Sequence, residues 1–93
     1  MAFELVEFCE PAPQEGQPFA GTLQTIIGTY DEESEAIERG RDLWKQAKNE
    51  TSADVMWWIV RVPGETLARW IADKGSEDEQ ILDLRTNQLV RVV

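Results

Sequence analysis

Histidine is absent from this chain, and cysteine occurs once, as Cys9. The first absence removes the usual general acid–base side chain and the commonest transition-metal ligand. The second excludes an internal disulfide and the multi-cysteine sets that hold structural zinc. No Ser-His-Asp or Cys-His constellation can be assembled. Cys9 has Glu7 and Glu10 close by in sequence, not the positive neighbours that lower a thiol pKa, so nucleophilic chemistry there is not expected.

Long apolar runs are missing too. None approaches the ~20 residues of a membrane span. The opening Met-Ala-Phe-Glu-Leu-Val-Glu has neither the basic block nor the apolar block of an export signal. A reducing, cytoplasmic setting is the resulting expectation. The glycosylation acceptor Asn49-Glu50-Thr51 would then have no route to a glycan. Neither a phosphate-binding glycine loop nor a dinucleotide fingerprint occurs.

Basic residues are scarce: Lys and Arg total 9 against 18 Asp and Glu, a formal charge of −9. A field of that sign repels phosphate backbones and anionic lipid, so neither nucleic acid nor membrane is an expected partner. Two acidic clusters, Asp31-Glu32-Glu33 and Glu77-Asp78-Glu79, lack the alternating ligands and the glycine of a calcium loop. They read as a helix start and a solvated turn, and no metal or cofactor is expected. Since no spacing singles out a working pair of carboxylates, the chain is not expected to be an enzyme.

What is present gives a fold. The run Asp54-Val-Met-Trp-Trp-Ile-Val-Arg-Val62 is rich in β-branched and aromatic residues and is closed by Pro63-Gly64. It reads as the central strand, buried on both faces or nearly so. Strand alternation puts Met56, Trp58, Val60 and Val62 on one side and Val55, Trp57, Ile59 and Arg61 on the other.

Before it, Phe3 to Phe8 predicts a short strand, and residues 9–18, with three prolines and a glycine, predict a flexible connection. Thr22 to Tyr30 predicts another strand. Asp31 is then the expected N-cap of a helix running to Lys48, with Glu32, Glu33 and Glu35 in its first turn. Ala36, Ile37, Gly40, Leu43, Trp44 and Ala47 form one apolar stripe along that helix. Gly40 within it implies close approach of helix and sheet beside a tryptophan. Glu35 with Arg39, and Asp42 with Lys45, are spaced to pair on the helix surface.

After the central strand, Pro63-Gly64 suits the middle of a type II turn, and residues 67–73 predict a returning strand. The alternative is a short second helix over 65–74, on the helical spacing of Leu67, Trp70 and Ile71. Residues 80–85 and 89–93 predict a final hairpin about Thr86-Asn87. A three-residue loop would set Leu82 opposite Val90 and Asp83 diagonal to Arg91. The order is β-β-α-β-β-β-β: residues 1–93 form a single small α+β domain, a mainly antiparallel sheet with one long helix on one face.

In outline, Gly28-Thr29-Tyr30-Asp31-Glu32-Glu33 followed by Ala36 is similar to the strand-to-helix step of the sporulation-related peptidoglycan-binding repeat. The similarity covers only a small part of the chain. That family has a second helix and works outside the cytoplasm, neither of which is the expectation here, and its function is not carried to this chain.

The functional expectation rests on four tryptophans, at 44, 57, 58 and 70. Trp44 belongs to the helix stripe. Of the adjacent pair Trp57 and Trp58, one must face the helix and the other must face away from it, largely in solvent. Trp70, Arg61 and Arg69 are the residues that strand register can bring beside it. Such a surface grips partners through aromatic and arginine anchors. The chain is expected to be a non-catalytic module that binds a protein partner or itself through this face of the sheet. The alternative is an acidic inhibitor or nucleic-acid mimic that occupies a basic groove.

Overall fold

The computed structural model describes residues 2–12, 21–50 and 54–92. Its elements are β1 (Phe3–Glu10), β2 (Leu23–Tyr30), α1 (Glu33–Lys48), β3 (Val55–Arg61), β4 (Ala68–Asp73), β5 (Gln80–Asp83) and β6 (Gln88–Arg91). The strands form one sheet of order β2-β1-β3-β4-β5-β6, every neighbouring pair antiparallel. The expected α+β arrangement is the one observed. The 65–74 segment contributes β4, so the alternative second helix does not form. Its apolar residues serve two faces: Trp70 and Ala72 point to the core, while Ile71 points away from it.

The helix crosses β1 to β4. Its stripe buries Ala36, Ile37, Gly40, Trp44 and Ala47, with Leu43 half-buried beside them. The sheet answers with Leu5 of β1, Trp58 and Val60 of β3, and Trp70 and Ala72 of β4. A Cβ on Gly40 would lie 2.6 Å from Cζ3 of Trp70, with Leu5 Cδ1 at 3.2 Å. The missing side chain is what lets the helix backbone rest on the indole. Arg41 ties the helix to the segment before β5 by donating from Nε to Glu79 at 2.7 Å, and Trp44 donates to the Asp73 carbonyl at 2.8 Å.

Several local expectations are corrected. The N-cap is Glu32, not Asp31, and it makes no side-chain capping hydrogen bond. The helix charges reach outward instead of along the helix: Arg41 pairs with Glu79 and Lys48 with Glu77. β1 continues through Cys9 and Glu10, so the connection begins later than residue 9. Residues 13–18 of that expected flexible stretch lie outside the described residues.

In the last hairpin Leu82 faces Leu89 and Ile81 faces Val90, one residue away from the expected register. The loop is the four residues 84–87, closed by Asn87 N–H donating to the Asp83 carbonyl at 2.8 Å. Asn87 does take the left-handed conformation, φ 57°. Arg91 pairs with Asp78, and Asp83 with Arg85. The type II turn at Pro63-Gly64 is present, with Gly64 at φ 91° and Glu65 N–H donating to the Val62 carbonyl at 3.0 Å.

The candidate interaction face

The side of the sheet opposite the helix follows from register. Opposite Phe8 in β1 stands Trp57 of β3, and opposite Val6 stands Ile59. Ile59 in turn faces Ile71 of β4, and Ile71 faces Gln80 of β5. Alternation carries the row on to Leu82 and its partner Leu89, and Val6 has Ile26 of β2 on its other flank. The result is an apolar band running across the strands. Among the described residues no helix or second sheet lies over it.

Within the band Val6 is fully buried by its neighbours, whereas Ile26 is 55% exposed. Phe8 and Trp57 lie flat on each other, ring centroids 5.2 Å apart and planes 6° apart. That stacking leaves Trp57 partly buried, so the outward tryptophan is less exposed than alternation alone suggests. Its neighbour Trp58 is the member that faces the helix, at 0% exposure.

The five residues expected at the interaction surface therefore divide. Trp58 and Trp70 are both wholly buried beneath the helix and do not reach the open face. Each satisfies its indole N–H on a carboxylate, Trp58 on Glu7 at 2.9 Å and Trp70 on Glu79 at 3.1 Å. Trp57, Arg61 and Arg69 belong to the opposite side. Arg61 donates from Nε to Glu4 across the β1–β3 pair at 3.0 Å. Arg69 sits at the bulge where Val60 pairs with Trp70 but Arg61 with Ala68, and it holds Glu65 through Nη2 at 3.1 Å. Phe8, Ile71 and Leu82 belong to the same surface but lie far from Trp57 in sequence. Only the strand order brings them together, and no local signal states that order.

Two titrations bear on chemistry. Burial pushes the Cys9 thiol above its ordinary value, and the charges of Asp54 and Glu7 push it further, with Lys74 opposing. Thiolate is correspondingly scarce at neutral pH. For Glu79, burial alone would raise the carboxyl. Hydrogen bonds from Arg41 and Trp70, with the charges of Arg41 and Lys45, outweigh it and hold the group below the usual carboxylate range. That carboxylate is therefore a structural anion shared by helix and sheet. Among the described residues no three Asp, Glu or Cys side chains gather as a metal-binding group, and no helix is long and apolar enough to cross a membrane.

Comparison with protein-family models, with curated proteins and with solved structures finds no match. The strand-to-helix similarity at Gly28–Ala36 thus stays a local one.

Proposed function

We propose that this chain is a non-catalytic interaction module that grips a protein partner through the open face of its sheet, with Trp57 as the anchor. The observation that carries this reading is the flat Phe8–Trp57 stack set in an apolar band. Stacking restrains the indole in advance, so a partner that covers it spends little side-chain entropy on ordering it. Aromatic anchors of this kind dominate interface energies, and the arginines at 61 and 69 with their carboxylates supply a polar rim.

The charge of −9 shapes the partner. A protein with a basic rim is attracted, while a second copy brings like charge and would associate chiefly when salt screens it. Sedimentation of the wild type and Trp57→Ala over a range of concentration and salt tests self-association. Affinity capture with the same pair of baits tests for another protein, whose direct binding is then measured with purified components. A chain that stays monomeric, and captures the same proteins with or without Trp57, would sink the proposal.

A second reading rests on the outer side of the helix, where Asp31, Glu32, Glu35, Glu38 and Asp42 are all exposed. This is the surface an acidic inhibitor or nucleic-acid mimic would present to a basic groove. Charge reversal at Glu35 and Glu38 would then abolish binding, and Trp57→Ala would leave it unchanged.

A further inference from the structure

The turns after β3 and β5 stand at the same end of the sheet, because β3 and β5 run in the same direction. Between them lies a cavity of about 420 Å³. Leu67, Leu82 and Leu84 give it apolar walls, Asn87 closes one side, and Glu65 and Arg69 supply its charge. Leu67 and Leu84 are 43% and 65% exposed, an apolar surface that the chain itself leaves open.

Arg69 is unusual among the arginines here. Its side chain is only 14% exposed, and its Nε is buried without any hydrogen-bond partner. A guanidinium carries five N–H donors. Glu65 meets one nitrogen alone, both of its oxygens lying 3.1 Å from Nη2. This is not the parallel two-nitrogen fork by which a carboxylate satisfies an arginine. Glu65 is itself 42% exposed, so solvent weakens its hold. A mostly buried cation with an unpartnered Nε thus borders an open hollow whose mainly polar lining carries leucine side chains.

We propose that this cavity is a binding site for an apolar carboxylate, whose anionic group pairs with Arg69 while its hydrocarbon part lies against Leu67, Leu82 and Leu84. The carboxylate pairs with the Arg69 guanidinium from the cavity, and Glu65, which already holds Nη2, competes with it as an internal stand-in. The same chemistry is offered by a free branched-chain acid and by the C-terminal residue of a peptide ending in leucine. The cavity shares Glu65, Arg69 and Leu82 with the proposed interaction face, but its test reads carboxylate binding and not association, so the two proposals can fail separately.

The test is titration of the isotopically labelled chain with 4-methylpentanoate, with its amide, and with a short leucine-ended peptide carrying either a free or an amidated C-terminus. Backbone amide shifts are followed across 64–67 and 82–87. The free acid, the free peptide or both are expected to shift these signals saturably, and neither amide is expected to do so. Whichever of the two free carboxylates binds tighter identifies the source. Arg69→Gln should weaken binding by at least about tenfold, as loss of a charge-assisted pair entails. Glu65→Gln, which keeps Arg69 and an amide oxygen beside it and whose folding is checked by the same amide spectrum, should strengthen it by removing the competitor. Trp57→Ala should leave it unchanged. Equal binding of acid and amide, no saturable shift with any carboxylate, or weaker binding in Glu65→Gln would each overturn the proposal.

Discussion

Gly40 of the helix and Trp70 of β4 are in contact across the core: a Cβ on the glycine would stand 2.6 Å from the indole ring. Real Cβ atoms do not approach aromatic carbon so closely. Gly40→Ala must therefore displace either the helix or a tryptophan that is hydrogen-bonded to Glu79. Overpacking of this kind costs roughly 1–3 kcal/mol, and Gly40→Leu should cost more than Gly40→Ala. Denaturant midpoints of the two variants check this, and unchanged midpoints would show that helix and sheet are not so closely apposed.

How far such a contact was legible in the sequence is instructive. A glycine inside an apolar helical stripe implied close approach, and the tryptophans were the side chains large enough to require it. Which tryptophan it was depended on β4 lying next to β3, and on whether residues 65–74 form a strand at all. The β-branched and aromatic run at Val55–Val62 announced its strand locally. By contrast, the open face is built from Phe8, Trp57, Ile71 and Leu82 on four different strands. Their adjacency is a property of strand order, which turn residues and alternation do not encode. The hairpin register slipped for a related reason, since both three- and four-residue loops place Asn87 where a left-handed residue is needed.

Asp31 provides a second check, because capping logic and structure disagree there. The aspartate is exposed, and the cap position is held by Glu32 with no side-chain hydrogen bond. Asp31→Ala should therefore change stability by no more than about 0.5 kcal/mol, as for an ordinary surface substitution. A loss near 1 kcal/mol in chemical denaturation would return the cap to Asp31.

Glu79 should make the fold sensitive to acid. Its carboxyl is held below the ordinary value of 4.5, so the native state binds protons less readily than the unfolded chain does. The resulting stability is complete above the unfolded value and drains away as pH falls through the depressed native one. Glu79→Gln should flatten the dependence of the unfolding midpoint on pH below about 4.5, the unfolded value. An identical pH profile in the variant would assign the acid sensitivity to other carboxylates.

Cys9 should be a sluggish thiol. With burial and neighbouring carboxylates raising its pKa, alkylation by iodoacetamide near neutral pH should proceed more slowly than that of free cysteine, and should accelerate only at higher pH. Rapid modification with a midpoint below the ordinary thiol range would contradict the environment described for it.

The central claim rests on two adjacent residues that serve opposite faces, Trp57 stacked on Phe8 and Trp58 sealed under the helix. The most direct measurement compares their single alanine substitutions in unfolding and in association, using the self-associated chain or the purified partner. Trp58→Ala should cost about 3–5 kcal/mol of stability, as loss of a core aromatic does. Trp57→Ala should leave a folded monomer while weakening association by about 2 kcal/mol or more, as loss of an interface anchor does. Equal destabilisation by both substitutions, with association untouched, would mean that the second face is only a second core.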